Sequence, residues 1–476
     1  MKLNTNFLML LVGPLLFAGS ATLGFASNEL ALFTVIGMAA WMIVWWISDV
    51  VPMAATALLP LIILPVGGLL SIKEACSNYA NPTIYLFMGG FVIAIGLEKS
   101  GLHKRIALNI LKLTGNSANS IIFGFLLATA FISMWVSNTA TALMMLPIAA
   151  SVAAIMKEQV VVESEKTSLA NFDTCMMLSV AYAASIGGAA TLIGTPPNVV
   201  LAGYAESMLG IKISFGSFML MGVPLMLIML GCCYFILVKW MYPNHIGKVE
   251  SLGAVINLQL RDLGKWTMRE KAVAAIFGLV ATLWVFGHPL NLLIGTKVFD
   301  DTIVALFGAV MMFVFPLNIK TKEFVIEWKD AQQLPWNILL LFGGGLCLAN
   351  GMQKVGLMNL MGDWVMNNIH VAPFLLLIIL TFIMLMMTEL MSNVALATIF
   401  IPVVIGIAQS IDANPLSFAI SVGIASSYAF MLPVGTPPNA IVYGTGKITV
   451  AQMMRAGIVL NVLAVLLICG MVYLFY

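Results

Sequence analysis

Two short polar clusters interrupt an otherwise apolar chain, and each cluster occurs twice. Ser137-Asn138-Thr139 lies in the run from Ser133 to Pro147, and Ser392-Asn393-Val394 lies in the run from Thr388 to Pro402. Each is followed downstream by Gly-Thr-Pro-Pro-Asn, at Gly194–Asn198 and again at Gly435–Asn439. Hydroxyl and amide oxygens, with the backbone carbonyls of an unwound turn, are neutral ligands suited to a hard monovalent cation. Proline removes a donor and forbids helix continuation, and glycine admits unusual backbone angles. The half-helix that ends at Gly194 or Gly435 can therefore turn carbonyls toward a cation. The half-helix that starts after it presents free N–H groups to an anion. One break offers sites of both signs, and two breaks offer two of each.

Neither tip and neither Pro-Pro turn contains Lys, Arg or His. A buried doubly charged anion would then be compensated by bound cations, hydroxyls, amides and helix ends. The cations become part of the anion's site, which gives coupling a physical basis. Glu389 is the one acid close to a tip, and Met134 is its counterpart in the first half. An intramembrane carboxylate is a functional candidate; cation attraction, proton uptake, helix capping and pairing at the outer mouth are all open to it. An intramembrane enzyme would need a nucleophile–base pair or metal ligands at depth. The four histidines, His103, His245, His288 and His370, fall at span ends or in loops, so no enzyme is expected. The six cysteines occur singly or as an adjacent pair, without metal-ligand spacing or a disulfide framework. Paired broken helices suit alternating access better than an open pore.

The elements that must position these clusters follow from composition. Apolar residues make up 61% of the chain, charged residues 9%, and the mean hydropathy is +1.04. A soluble domain is roughly 45–50% apolar and about 25% charged, so this is an all-α polytopic membrane protein. A net charge of +2 does not suggest nucleic-acid binding. About 11 apolar spans of roughly 17–25 residues are expected, near 6–25, 30–48, 51–71, 83–98, 173–193, 216–238, 271–289, 301–317, 335–351, 415–434 and 453–475. The first is too long for the apolar core of a signal peptide and is expected to stay as a span. Two further apolar pairs, 118–156 and 371–410, are each split by a polar cluster. Polar backbone at bilayer depth is tolerated only inside protein or beside a water-filled cavity, which predicts two re-entrant hairpins tipped by Ser-Asn.

With the N-terminus in the cytoplasm and the C-terminus outside, the outer segments hold only Lys73, Lys212, Lys297 and Lys354 of the 22 Lys and Arg residues. The positive-inside rule supports this orientation, in an inner, cytoplasmic membrane. Phe87–Gly96 matches Phe342–Gly351, and Lys99, Gly101 and Leu102 match Lys354, Gly356 and Leu357 at the same offset, as do the tips. Beyond the tips the offset shortens, and the charged connector at 157–172 accounts for the difference. An odd number of full spans in each half inverts the second half relative to the first, so the two tips enter from opposite sides and meet near the midplane. The expected organisation is an extra N-terminal span at 1–29, a first inverted repeat at 30–241, a cytoplasmic connector at 242–270 and a second repeat at 271–476. The stretches 101–115 and 352–369 look amphipathic and are expected either to lie at the interface as arms or to be simple surface loops, and Gly89-Gly90 and Gly344-Gly345 are expected to be close-packing positions.

Met134 to Thr141, Thr388-Glu389 with Ser392-Asn393, and Ser427 to Asn439 together resemble the divalent anion–sodium symporter family, which includes the INDY-type dicarboxylate carriers. Trp328 and the run from Pro335-Trp336 to Gly345 also look typical, and the resemblance covers essentially the whole chain. It implies an elevator-type homodimer in the bilayer that takes up small dicarboxylate anions, such as succinate, fumarate and malate, with at least two sodium ions. It implies a first sodium site at Ser133, Ser137, Asn138 and Gly194, and a second at Thr388, Met391, Asn393 and Gly435. It places the substrate carboxylates at Asn138, Thr139, Thr195, Pro196, Asn393, Thr436 and Pro437. Val394 stands where many dicarboxylate members of the family carry threonine, so the pocket lacks one hydroxyl. Citrate or sulfate symport, and sodium-independent dicarboxylate exchange, are the alternatives within the family.

Overall fold

A computed structural model describes residues 5–115, 117–159, 166–247, 250–368 and 371–475. The middle of the connector at 157–172, and His370, lie outside the described residues. Among the described residues the chain is predominantly helical, with one two-stranded hairpin, Pro316–Asn318 against Glu323–Phe324. Nine described helices are long and apolar enough to cross a bilayer, or ten if the bent pair Trp336–Lys354 and Leu357–Asn368 counts as one span.

Three expected spans are shorter than anticipated. The stretch 51–71 breaks into Met53–Thr56 and Leu59–Val66. Pro52, Pro60 and Pro65 remove three backbone donors from it. The stretch 301–317 is helical only over Asp301–Val314, because Pro316 opens the small strand pair. The stretch 415–434 is helical only over Pro415–Ala425, and the backbone beyond it is unwound.

Both polar clusters fall at helix–break–helix turns. Ala118–Ser133 is followed by a break at 134–137 and then by Asn138–Gln159. Pro373–Thr388 is followed by a break at 389–392 and then by Asn393–Ser410. Serine starts several of these helices: Ser117 accepts from the Ser120 N–H, and Ser392 from the Ala395 N–H. Proline opens Pro196–Leu209 and Pro437–Tyr443, where its missing N–H costs nothing.

Helices also form over the two stretches expected to be arms. Gly101, at φ 75°, ends Pro82–Ser100 and starts the amphipathic helix Leu102–Leu113. Its sequence match Gly356, at φ 72°, lies between Trp336–Lys354 and Leu357–Asn368, which meet at a bend of 69°. A side chain at either glycine would be strained. Arg105 pins the first arm: its Nε lies 2.6 Å from Glu270 Oε1, its other nitrogens donate to the Leu263 and Gly264 carbonyls, and it stacks over the Trp266 ring.

The glycine pairs are close-packing positions, as expected. A Cβ at Gly89 would fall 2.7 Å from the Ala305 backbone, and one at Gly90 would fall 2.9 Å from Ile193. One at Gly344 would fall 2.4 Å from the Ala57 carbonyl, and one at Gly345 2.2 Å from Thr398. These helices approach as closely as they do because no side chain separates them.

Candidate functional site

Ser133 is the last residue of the first hairpin helix, and Asn138 is the first residue of the next. Their side chains meet across the break: Ser133 Oγ lies 2.7 Å from Asn138 Oδ1 and 2.7 Å from the Ala184 carbonyl. The second half repeats this arrangement. Thr388 Oγ1 lies 2.8 Å from Asn393 Oδ1 and 2.7 Å from the Ser426 carbonyl. Each hydroxyl has one proton and faces two acceptors. Each trio therefore contains more oxygen lone pairs than donors, inside protein, where Ser133 and Thr388 are fully buried.

The first unwound turn completes the first trio. Gly188 ends the helix Lys166–Gly188, and a Cβ there would fall 2.1 Å from Asn138 Oδ1. A Cβ on Gly194 would fall 2.4 Å from the Gly188 carbonyl. Ser133, Asn138, Gly188 and Gly194 thus form one cluster. The helices unwind earlier than the sequence suggested, at Gly188 and Ala425 rather than at Gly194 and Gly435. The longer turns free more carbonyls than a simple Pro-Pro break would. In the first turn the Thr191 hydroxyl donates to the Met134 carbonyl at 2.5 Å and accepts from the Gly194 N–H at 3.1 Å, so the turn is tied to the tip.

Glu389 holds backbone amides of the second turn. It is 2% exposed, and its carboxylate accepts from the Phe430, Met431 and Leu432 N–H groups at 2.8, 2.9 and 3.0 Å and from Asn461 Nδ2 at 2.7 Å. Three consecutive amides pointing at one anion form a nest. Of the roles open to Glu389, capping of backbone is the one the geometry displays. Gly435 packs against it, since a Cβ there would fall 2.9 Å from Glu389 Oε2.

The remaining expected residues are less tightly gathered. Ser137 is exposed, and its hydroxyl accepts from the Ala140 N–H at 3.3 Å. Thr139, Met391 and Val394 are half-buried. Thr195 and Thr436 are buried in extended backbone, at φ −143° and −142°, each immediately before a Pro-Pro helix start. Pro196 is half-buried and Pro437 exposed. The halves interlock: Asn138–Gln159 packs on Pro437–Tyr443, and Asn393–Ser410 packs on Pro196–Leu209. The Ser427 hydroxyl of one half reaches the Thr195 hydroxyl of the other at 3.5 Å. Sequence reasoning missed Gly188 and the carbonyls of Ala184 and Ser426. Carbonyls leave no trace in side-chain chemistry, but the Gly187-Gly188 pair just before the turn was a readable signal.

Residues 2–476 match the family model for the sodium:sulfate symporter transmembrane region. The chain is 38% identical, over 98% of its length and 90% of the relative, to the sodium-dependent dicarboxylate transporter SdcS of Staphylococcus saprophyticus. It is 37% identical over the same shares to SdcS of Staphylococcus aureus. Among solved structures, the YdaH transporter of Alcanivorax borkumensis superposes with a TM-score of 0.56 at 15% identity, covering 84% of this chain and 86% of that one. The antimetabolite efflux pump MtrF of Neisseria gonorrhoeae gives 0.52 at 12% identity, covering 86% and 84%. At these identities the likeness to the two solved structures concerns the fold alone.

Proposed function

The chain belongs to the sodium:sulfate symporter family, a family of transporters and not of enzymes, and from that premise we propose that it is a sodium-coupled secondary active symporter importing C4-dicarboxylates. The observation that carries the proposal is the duplicated oxygen trio, Ser133–Asn138–Ala184 and Thr388–Asn393–Ser426. A cation seated at either trio satisfies lone pairs that one hydroxyl proton leaves unpaired. The SdcS relatives are named as sodium-dependent dicarboxylate transporters, which favours sodium as that cation and a dicarboxylate as the anion.

In this reading the first sodium is held by Ser133, Ser137, Asn138 and Gly194, and the second by Thr388, Met391, Asn393 and Gly435. The anion lies between the two, against Asn138, Thr139, Thr195 and Pro196 from one half and Asn393, Val394, Thr436 and Pro437 from the other. Succinate, fumarate and malate fit a pocket in which helix N-termini and two cations balance two carboxylates. The tips enter from opposite sides of an inner membrane, with the N-terminus cytoplasmic and the C-terminus outside, in two inverted repeats at 30–241 and 271–476. The hairpins and broken helices move as one body against the spans Pro82–Ser100, Met268–Ile294 and Trp336–Lys354, joined by the two arms, in an elevator-type cycle within a homodimer. The glycine contacts at Gly90 and Gly345 supply a smooth face for that movement.

Val394 favours a second reading. It is half-buried at the start of the second hairpin helix and presents no hydroxyl, which suits citrate or sulfate better than it suits a C4 acid held at both ends.

The test is radiolabelled succinate uptake into proteoliposomes with inward sodium, with choline in its place, and with succinate preloaded inside. Uptake that needs sodium and no internal substrate supports symport. Uptake that needs only internal dicarboxylate makes the protein an exchanger, and absence of succinate uptake in all three arms moves citrate and sulfate forward.

A further inference from the structure

The last residue of each Gly-Thr-Pro-Pro-Asn motif is fully buried and bonds backward across the break. Asn198 Nδ2 donates to the Ala189 carbonyl at 3.2 Å and the Thr191 carbonyl at 2.8 Å. Asn439 Nδ2 donates to the Ala429 and Leu432 carbonyls, both at 3.0 Å. Each amide spends both of its hydrogens on the unwound turn that precedes it. The other end of each amide, Asn198 Oδ1 or Asn439 Oδ1, is buried with no protein partner among the described residues. Burying an unpaired acceptor is unfavourable, and the chain does so at matching positions in both halves. Packing alone would be better served by leucine.

We propose that Asn198 and Asn439 are positioning residues for the two cation sites, and that each staples one half-helix to the next. Asn198 sits in the first turn of Pro196–Leu209 and grips carbonyls just after the end of Lys166–Gly188. Gly194 lies between the two anchor points in sequence, so close to the Gly188 carbonyl that a Cβ would fall 2.4 Å from it. With carbonyls 189 and 191 each held by Asn198, the backbone between them is fixed in orientation, and with it the carbonyls that the turn presents toward the Ser133–Asn138–Ala184 trio. Asn439 acts likewise on the second turn, whose N–H groups Glu389 holds from the opposite side. Carbonyls and amides of that turn are thereby fixed by two different side chains. The inference rests on the sodium-coupled reading for its cation, but the staple itself does not.

The experiment is hydrogen exchange of the purified protein in sodium and in choline, on Asn198→Ala, Asn439→Ala and the equal-sized Asn198→Asp and Asn439→Asp, paired with sodium titrations of uptake at saturating succinate. In the wild type, sodium is expected to slow exchange in peptides spanning 189–195 and 429–436. Each alanine variant should speed exchange at least ten-fold in its own turn and lose the sodium protection there, while the other turn stays as in the wild type. The aspartate variants, which keep the shape and lose the donors, should do the same. The half-saturating sodium concentration should rise at least five-fold in each. Unchanged exchange in the adjacent turn overturns the staple. Faster exchange with an unchanged sodium half-saturation overturns the positioning role and leaves a packing role. Sodium-independent uptake by the wild type sinks the symport reading instead, and the exchange data then decide the staple alone.

Discussion

Gly188→Ala is the substitution that most directly interrogates the proposed first cation site. The added methyl would fall 2.1 Å from Asn138 Oδ1. Carbon–oxygen contacts settle near 3.3 Å or more, so the amide must retreat by roughly 1.2 Å. That movement breaks the 2.7 Å contact between Ser133 Oγ and Asn138 Oδ1. A lost hydrogen bond costs about 1 kcal/mol, and a side chain forced off its rotamer costs about 0.5–1.5 kcal/mol more. The sum, about 2 kcal/mol, corresponds to about a thirty-fold rise in half-saturating sodium. Alanine is also a better helix former than glycine by about 0.8–1.0 kcal/mol, so global stability should fall by less than sodium affinity. The assay is the initial rate of succinate uptake into proteoliposomes across a sodium titration, with the melting temperature in detergent measured alongside. The matching position in the second half, Ala429, already carries a methyl, so only one of the two sites is disturbed. A variant with wild-type sodium and succinate half-saturation would refute the placement of a cation among Ser133, Asn138 and Gly188.

Three further outcomes are expected. Val394→Thr restores a hydroxyl to the second tip and should lower the succinate half-saturation about five-fold, equivalent to about 1 kcal/mol; unchanged or weaker succinate uptake would count against a pocket contact at this position. Arg105→Met strands the buried Glu270 carboxylate, a loss of about 3–5 kcal/mol that a drop in melting temperature would report, whereas Arg105→Met with Glu270→Met should recover much of it. Burial raises the Asp330 carboxyl, but the Glu327 N–H and the Lys99 ammonium at 2.6 Å outweigh it and hold it below the usual aspartate range. This contribution to stability is complete above the unfolded value, about 3.9, and is lost as pH falls through the lowered one. Asp330→Asn should therefore flatten the acid limb of the melting-temperature profile, and an unaltered limb would show that the pair contributes nothing.

The sequence revealed what depends on residue type. Ser-Asn tips, Pro-Pro turns and the two glycine pairs are polar or small residues in an apolar chain, and each lies where its chemistry demands. Gly101 and Gly356 were readable for the same reason, since both hold a positive φ. Backbone acceptors were less readable. The Ala184 and Ser426 carbonyls complete the oxygen trios, yet any residue could supply them, so only the bend of the helix identifies them. Span lengths also misled. The run 415–434 is mostly apolar, its four serines apart, but its end is unwound because Glu389 and Asn439 satisfy the backbone that a helix would otherwise satisfy. Hydropathy registers the apolar side chains and is blind to that substitution. Glu389 shows the same limit: its sequence position left cation attraction, proton uptake, helix capping and pairing open, and only its neighbours show it holding backbone amides.

The asymmetry introduced by Glu389 bears on coupling. In the first half the tip and turn are joined by neutral groups, the Thr191 hydroxyl between the Met134 carbonyl and the Gly194 N–H. In the second half a carboxylate does this work, adjacent to Gly435. Its Oε1 accepts from three N–H donors and its Oε2 from one, so most of its acceptor capacity is spent on the turn, which it shapes directly and influences through its field. With no Lys, Arg or His in either tip or turn, the pocket offers an incoming dianion no fixed positive side chain. Positive charge at the pocket must then arrive with the cations, and a dianion that enters first meets only dipoles in a low-dielectric interior, where an uncompensated charge is strongly disfavoured. On the proposed site, sodium is expected to bind before substrate. Succinate binding measured by calorimetry in choline should be undetectable, sodium binding measured without succinate should be present, and succinate binding of equal strength in both salts would contradict the electrostatic basis of the coupling.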